Sequence, residues 1–270
     1  GRCHTLCIKP CAERPLRLGI VNCQEYSNGY YAAFRYLANE PDIDFVLHLG
    51  DSIYERTGGK AYLQRPHADR LIALPSGGDI AVSLEDYRYL YRLYRSDADY
   101  QQALAMHTFV FQLDDHELTN NAYWDAQNRV MGVADHPFGD KNIYPDSAER
   151  LRQLQFDALR AWSEYMPSRV HEAVSAADPR EGVKLYRSMM AGDVSILLMD
   201  SRLYRSKQPC KKDMLPLGCT DYLQENLTLL GEQQREWLLA GVSDPQPRWT
   251  LLASQIGMSR IAVGNSRRPW

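Results

Sequence analysis

Phe45-Val46-Leu47-His48-Leu49-Gly50-Asp51 and Phe109-Val110-Phe111-Gln112-Leu113-Asp114-Asp115-His116-Glu117 decide the fold. Each is an apolar run of strand length, and each stops in carboxylates. A buried strand that ends this way delivers hard oxygen ligands to one edge of a sheet. Open α/β sheets bind their ligands at those carboxyl ends. Tyr54 and Glu55 lie just beyond the first run. Adjacent acids such as Asp114 and Asp115 repel unless a cation or an arginine neutralises them. Two such strand ends suggest a metal site shared between them, for which hydrolysis is the usual chemistry. The plainer reading of any one acid is a helix cap or a loop hydrogen bond, and of His116 alone a structural histidine.

Working outward, Leu16 to Cys23 reads as another buried strand, and Tyr30 to Leu37 has helical spacing that Pro41 ends. Strand, helix, strand implies a parallel pair. If the strands ending in Cys23, Asp51 and Asp115 are neighbours, those three residues converge. A buried cysteine alone is usually an inert apolar residue. Beside Asp51 and Tyr54, its thiolate suits a transition metal such as iron better than magnesium. Residues 56–78, rich in glycine and proline, read as a long loop at the mouth of the site. Ser83 to Asp97 reads as a helix capped by Ser83, with Tyr87, Leu90, Tyr91 and Tyr94 as a core stripe. From the Asp114 cluster to Pro145 the chain reads as irregular. Asp146 to Tyr165 is an amphipathic helix, and Val183–Met190 with Val194–Asp200 is a hairpin turning at Gly192-Asp193. Residues 206–223 form another loop, Gly231 to Ala240 a helix and Trp249 to Ser254 a strand. The alternation makes the class α/β.

The 270 residues make one large domain or two small ones, and 44% hydrophobic residues can bury a sizeable core. A net charge of −3 gives no basic field for nucleic acid. No apolar run is long enough for a membrane span. Cys210 and Cys219 either close a small disulfide loop, as in an exported protein, or stand as two reduced thiols. Cys3, Cys7 and Cys11 have the look of a zinc half-site, but no pair of matching spacing follows.

Several stretches together resemble the alkaline phosphatase D (PhoD-like) family. They are Asn22-Cys23-Gln24, His48-Leu49-Gly50-Asp51-Ser52-Ile53-Tyr54-Glu55, and Asp114-Asp115-His116-Glu117 with Asn120-Asn121. Leu84-Glu85-Asp86-Tyr87-Arg88, Asp200-Ser201-Arg202-Leu203-Tyr204-Arg205 and Leu230-Gly231-Glu232-Gln233 support them, in the family's order over nearly the whole chain. The resemblance implies a metallophosphoesterase-type layered α/β/β/α sandwich with mixed sheets. It implies hydrolysis of phosphomonoesters and phosphodiesters by metal-activated hydroxide at alkaline pH, with Fe3+ and Ca2+ as cofactors. Zn2+ or Mn2+ in a generic dinuclear site is the alternative, against which Cys23 argues. Cys23 and Tyr54 match ligands of the ferric ion, and Asp51 the aspartate that bridges iron to calcium. Asp115 matches a further metal ligand, with Asp114 ligating or supporting it and Asn120 or Asn121 completing the calcium shell. His116 matches the histidine that contacts the phosphate and assists the leaving group.

Arg202 and Arg205 are of the kind that clamps a phosphate, the plainer reading being an ion pair with Asp200 or a surface position. Small phosphate esters or phosphodiester polymers are the implied substrates, and a secreted or periplasmic location, including the cell surface, the implied setting. The resemblance further implies an immunoglobulin-like β-domain upstream, with residues 1–15 as its last strand or a linker. Residues 16–270 are then the metallophosphoesterase domain, incomplete at the C-terminus. Family members carry a downstream Gly-Asp-x-His ligand segment, and here no histidine follows His171. Residues 1–270 alone are therefore expected to be poorly active. The reading from another class is a non-catalytic domain that binds phosphate or a partner.

Overall fold

The computed structural model describes residues 15–57, 67–133, 135–167, 184–209, 221 and 224–258, with two short strands at 261–263 and 266–268. Cys3, Cys7, Cys11, Cys210 and Cys219, and the boundary expected at residue 15, lie at or outside those limits.

Strands β1 (Leu18–Val21), β2 (Phe45–His48) and β3 (Phe109–Phe111) form a parallel sheet in sequence order. Helix α1 (Ala32–Ala38) crosses from β1 to β2, as the β-α-β reading expects. Every residue of β2, the central strand, is buried, which is why its sequence runs apolar without alternation. Between β2 and β3 the chain forms α2 (Leu84–Tyr94) and α3 (Ala98–Met106). Ser83 caps α2, its hydroxyl accepting from the Asp86 N–H at 3.3 Å. The single helix expected over 83–97 is divided. Asp97 turns the chain and caps α3, its carboxylate accepting from the N–H groups of Asp99 and Tyr100 at 3.0 and 3.1 Å. Arg70, buried beneath Tyr26, Tyr30 and Tyr31, pairs with Asp97. It also donates to the Tyr26 and Gly29 carbonyls, tying down the loop that leaves β1.

The stretch expected to be irregular holds a hairpin of β4 (Tyr123–Asp125) and β5 (Val130–Gly132). Helix α4 (Ser147–Tyr165) follows and packs on α2. β6 (Arg187–Ala191) and β7 (Val194–Leu198) form the expected antiparallel hairpin, turning through Gly192 at φ 64°. Helix α5 (Gly231–Val242) then leads to β8 (Trp249–Ala253), which lies parallel to β7. The second sheet, β6-β7-β8, is therefore mixed. β9 (Ile261–Val263) and β10 (Ser266–Arg268) pair antiparallel.

Side-chain alternation stacks these pieces into layers. Val46, Phe109 and Phe111 face the helices and meet Phe34, Tyr100, Leu90 and Trp162 in the larger core. Phe45 and Leu47 face the other way, with Val110, and meet Ile196, Leu198 and Ala253 of the second sheet. Leu197 points to the far side, where the missing side chain of Gly241 lets α5 approach: a Cβ there would lie 2.9 Å from Leu197 Cδ1. Helices α1–α4, first sheet, second sheet and α5 are the expected α/β/β/α layers.

Candidate metal centre

The site is built where β1, β2 and β3 end side by side. Parallel pairing continues one step past the strands, Cys23 N–H bonding to Gly50 O at 3.2 Å and Gln24 N–H to Asp51 O at 3.1 Å. The backbone then turns sharply. Cys23 and Asp51 both sit in the left-handed region, at φ 54° and 55°, which costs a non-glycine residue energy. Gly50, at φ 109°, has no room for a side chain, because a Cβ would meet Asp114 Cβ at 2.5 Å. The ends of β2 and β3 are thus pressed together at the residues that carry the acids.

Glu117 fixes that arrangement. Its fully buried carboxylate accepts from Asp51 N at 3.1 Å, Ser52 N at 2.6 Å, Ser52 Oγ at 2.7 Å and Asp114 N at 2.8 Å. Asp51 is the hub of the side chains. Its Oδ2 accepts from Cys23 Sγ at 3.4 Å and from Tyr54 Oη at 3.2 Å. Its Oδ1 accepts from the His116 backbone N–H at 3.3 Å. Asp51, Asp115 and His116 each bring one ligand atom to within 4.8 Å of the others. Cys23, Asp51, Tyr54, Asp115 and His116, distant in sequence, therefore meet in one place.

His116 is held on two sides. Its Nδ1 pairs with Glu55 Oε2 at 2.8 Å, and its ring stacks on Tyr54 with centroids 4.1 Å apart. The other Glu55 oxygen accepts from Thr119 Oγ1 at 3.1 Å and from Asn120 N at 2.8 Å. Glu55 and Glu117 are the two residues to which sequence reading gave no role. Both lie in loops where no periodicity marks a buried face, and only their place inside the quoted stretches drew attention to them.

Arg202 corrects the plainer sequence expectation. Its side chain is buried and pairs not with Asp200 but with Asp114 through Nε. Nη1 lies 3.3 Å from Asp115 Oδ2. Asp200 instead accepts from the Arg202 and Leu203 backbone N–H groups at 2.9 and 3.0 Å, shaping the turn that presents Arg202. The Asn120 side-chain amide donates to Asp135 Oδ2 at 3.1 Å and accepts from Asn121 Nδ2 at 3.2 Å. Asn121 supports Asp115 through its backbone N–H, 2.6 Å from Oδ2.

The electrostatics follow from burying many acids around few cations. Burial, with the charge of Glu117 next, pushes the Asp51 carboxyl up to about 8. Burial likewise raises Asp114, against the pull of Arg202, and raises Glu117. Cys23 leaves an edge exposed, but the burial of its sulfur and then the charge of Asp51 push the thiol up to about 12. Burial raises the Tyr54 phenol too, with Asp51 second. Burial alone would lower His116, yet its bond to Glu55 and the surrounding carboxylates outweigh that and raise it to about 9. A thiol, a phenol and the Asp51 carboxyl pushed toward their protonated forms for want of positive charge are what a metal-ligand set looks like before the cation is counted.

The chain is similar to known proteins over most of its length. The profile of the PhoD-like phosphatase family matches residues 18–269. Alkaline phosphatase D of Bacillus subtilis (strain 168) is 30% identical over 255 residues, covering 94% of this chain and 39% of its own length. A solved structure described as "Structure of PhoD" superposes with a TM-score of 0.72 at 28% identity, over 96% of this chain and 45% of that one. The chain thus spans less than half the length of the relatives it matches. With the profile running from β1 through the last strand, the chain belongs to the PhoD-like phosphatase family.

Proposed function

We propose that this chain carries the metal centre of a phosphoesterase of the alkaline phosphatase D type, acting on phosphomonoesters and phosphodiesters at alkaline pH. The observation that carries the reading is the convergence of Asp51, Asp115 and His116 within 4.8 Å, with Cys23 and Tyr54 on one oxygen of Asp51. The donor chemistry fits two kinds of cation. Thiolate, phenolate and carboxylate from Cys23, Tyr54 and Asp51 suit Fe3+, with Zn2+ or Mn2+ as the alternative. Oxygen donors from Asp51, Asp114, Asp115 and Asn120 suit Ca2+. Bound cations would supply charge to neutralise the phosphoryl oxygens and would acidify water for attack.

The chain's own residues do the rest. Glu55 occupies Nδ1 of His116 and so leaves Nε2 as the atom that can hold a proton for the leaving oxygen. Tyr54 keeps the ring in plane with that task. Arg202 brings a guanidinium to the acidic strand end, where its remaining N–H groups suit phosphate oxygens. Small phosphate esters or phosphodiester polymers are the substrates of this reading. Export to the periplasm, cell surface or medium is part of it, resting on the likeness to the family.

The test uses the full-length protein, with metal content measured alongside hydrolysis of p-nitrophenyl phosphate. Asp51→Asn and Cys23→Ser should lose metal and turnover together. His116→Ala should keep the metal while turnover falls by about 10²–10⁴-fold, the usual worth of a positioned acid or base. Undiminished turnover in the metal-free protein would sink the reading.

A further inference from the structure

The residues of the centre come from two sheets that, among the described residues, share no backbone ladder. The acids stand at the end of β3 in the first sheet, and Arg202 follows β7 in the second. Over most of their length the sheets meet through apolar side chains, Phe45, Leu47 and Val110 against Ile196, Leu198 and Ala253. Apolar contact is non-directional and sets no fine distance between two layers. At the end where the site lies, the contact changes character.

Two residues beyond Val110, and so on the same face of the strand by the alternation of side chains, stands Gln112 rather than another apolar residue. It is 3% exposed, and its Nε2 donates to Met199 O at 2.8 Å and Ala253 O at 3.1 Å, the ends of β7 and β8. Gln255, two residues past β8, answers in the other direction. Its Nε2 donates to Leu113 O at 3.0 Å, beside Asp114, and to Met199 O at 2.7 Å. Both amides meet on the Met199 carbonyl, three residues before Arg202.

The turn between those points is locked in turn by Gln234 of α5. Its Oε1 accepts from Asp200 N at 2.8 Å and its Nε2 donates to Asp200 O at 2.8 Å. A hydrogen bond is directional and short-ranged where an apolar contact is not. These amides therefore fix the second sheet against the first at the point from which Arg202 reaches Asp114 and Asp115.

We propose that Gln112 and Gln255 are positioning residues for phosphate binding: their side-chain amides tie the ends of the two sheets and so place the Arg202 guanidinium over the acidic strand end. The inference rests on Arg202 meeting phosphate, as proposed above. Gln112→Met and Gln255→Met keep the volume and remove the bonds. In the metal-loaded full-length protein, with inorganic phosphate as the calorimetric probe, each should weaken phosphate binding about fivefold, the scale of one or two lost hydrogen bonds. KM for p-nitrophenyl phosphate should rise in step while kcat moves less. The apolar control Ile196→Val, in the same inter-sheet layer, should lower Tm without moving phosphate affinity.

A double-mutant cycle separates positioning from general loosening. If the glutamines act through Arg202, then Gln112→Met on an Arg202→Ala background costs no further affinity. Losses that multiply, or a Gln112→Met and a Gln255→Met that both lower Tm with phosphate affinity intact, would overturn the proposal. Phosphate affinity unchanged by Arg202→Ala itself would overturn it at its premise, along with the role proposed for Arg202. A loss in Arg202→Ala with none in either glutamine variant would overturn this inference alone.

Discussion

Glu117 shows how one buried side chain can set the shape of a site through the backbone around it. It gathers two backbone N–H groups from the loop after β2, one hydroxyl there, and one N–H at the end of β3. A neutral amide cannot reproduce this, because its NH2 would face donors with nothing to give them. Glu117→Gln is therefore expected to cost about 3 kcal/mol, the scale of removing hydrogen bonds to a buried charged group. Urea unfolding of the metal-free protein measures it, and a loss below about 0.5 kcal/mol, the range of ordinary surface substitutions, would show that the loops hold themselves. The value of Glu117 was not legible in the sequence. It sat beside His116 as one more acid, and nothing in its neighbours told a ligand from an anchor. The convergence of Cys23, Asp51, Tyr54, Asp115 and His116 was legible because each follows a strand whose apolar run announces it.

At the scale of elements, β1 and β2 are joined beyond their ladder by His48. Its Nε2 lies 2.9 Å from Gln24 Oε1 and its Nδ1 accepts from Gly50 N at 3.3 Å, while Gln24 donates to Ser52 O at 3.0 Å. Those partners use both ring nitrogens of the neutral form. Complete burial, with Arg95 second, lowers the imidazole from 6.5 to about 3. The unfolded chain takes up a proton as pH falls through 6.5, while the folded chain refuses it until about 3. His48 therefore takes nothing from stability above pH 6.5 and subtracts progressively between 6.5 and 3. At pH 5 the loss is about 2 kcal/mol by linkage. Urea unfolding at pH 7 and pH 5 should show that extra loss relative to His48→Gln, and equal pH sensitivity of the two chains would refute it.

The same scale explains which elements sequence reading missed. Helix α3 buries only Tyr100 and Ala103, too few to write a stripe. The β4–β5 hairpin has three-residue strands and no Asn-Gly turn. Its turn is made by Asp125, whose carboxylate collects Gln127 N, Asn128 N and the Asn128 side chain, leaving Arg129 at φ 51°. α2, α4 and the β6–β7 hairpin were legible because Ser83, a long amphipathic face and Gly192 are signals local to them.

For the whole molecule, the layers were legible from the order of elements, but their mutual placement was not. The amides and the arginine that join the two sheets reach across from distant parts of the chain, and a single sequence carries no trace of such pairs. What the layers enclose is a concentration of buried acid. Bound cations should stabilise the folded state by mass action, about 2.7 kcal/mol at a hundred times the dissociation constant. Tm should rise when Ca2+ and Fe3+ are added to the metal-free protein and fall again with a chelator. A Tm indifferent to both would remove the metals from the structure's energetics. The parallel order β1-β2-β3 has one more consequence, on the clock of synthesis. A ribosome adds about 5–20 residues per second, so the Cys23 thiol emerges several seconds before His116 and the Glu117 anchor exist. No early hairpin can assemble this site, because parallel neighbours need their crossovers built first. The site is therefore complete only once all three strands are paired, so its ligands converge as a product of folding and not as its starting point.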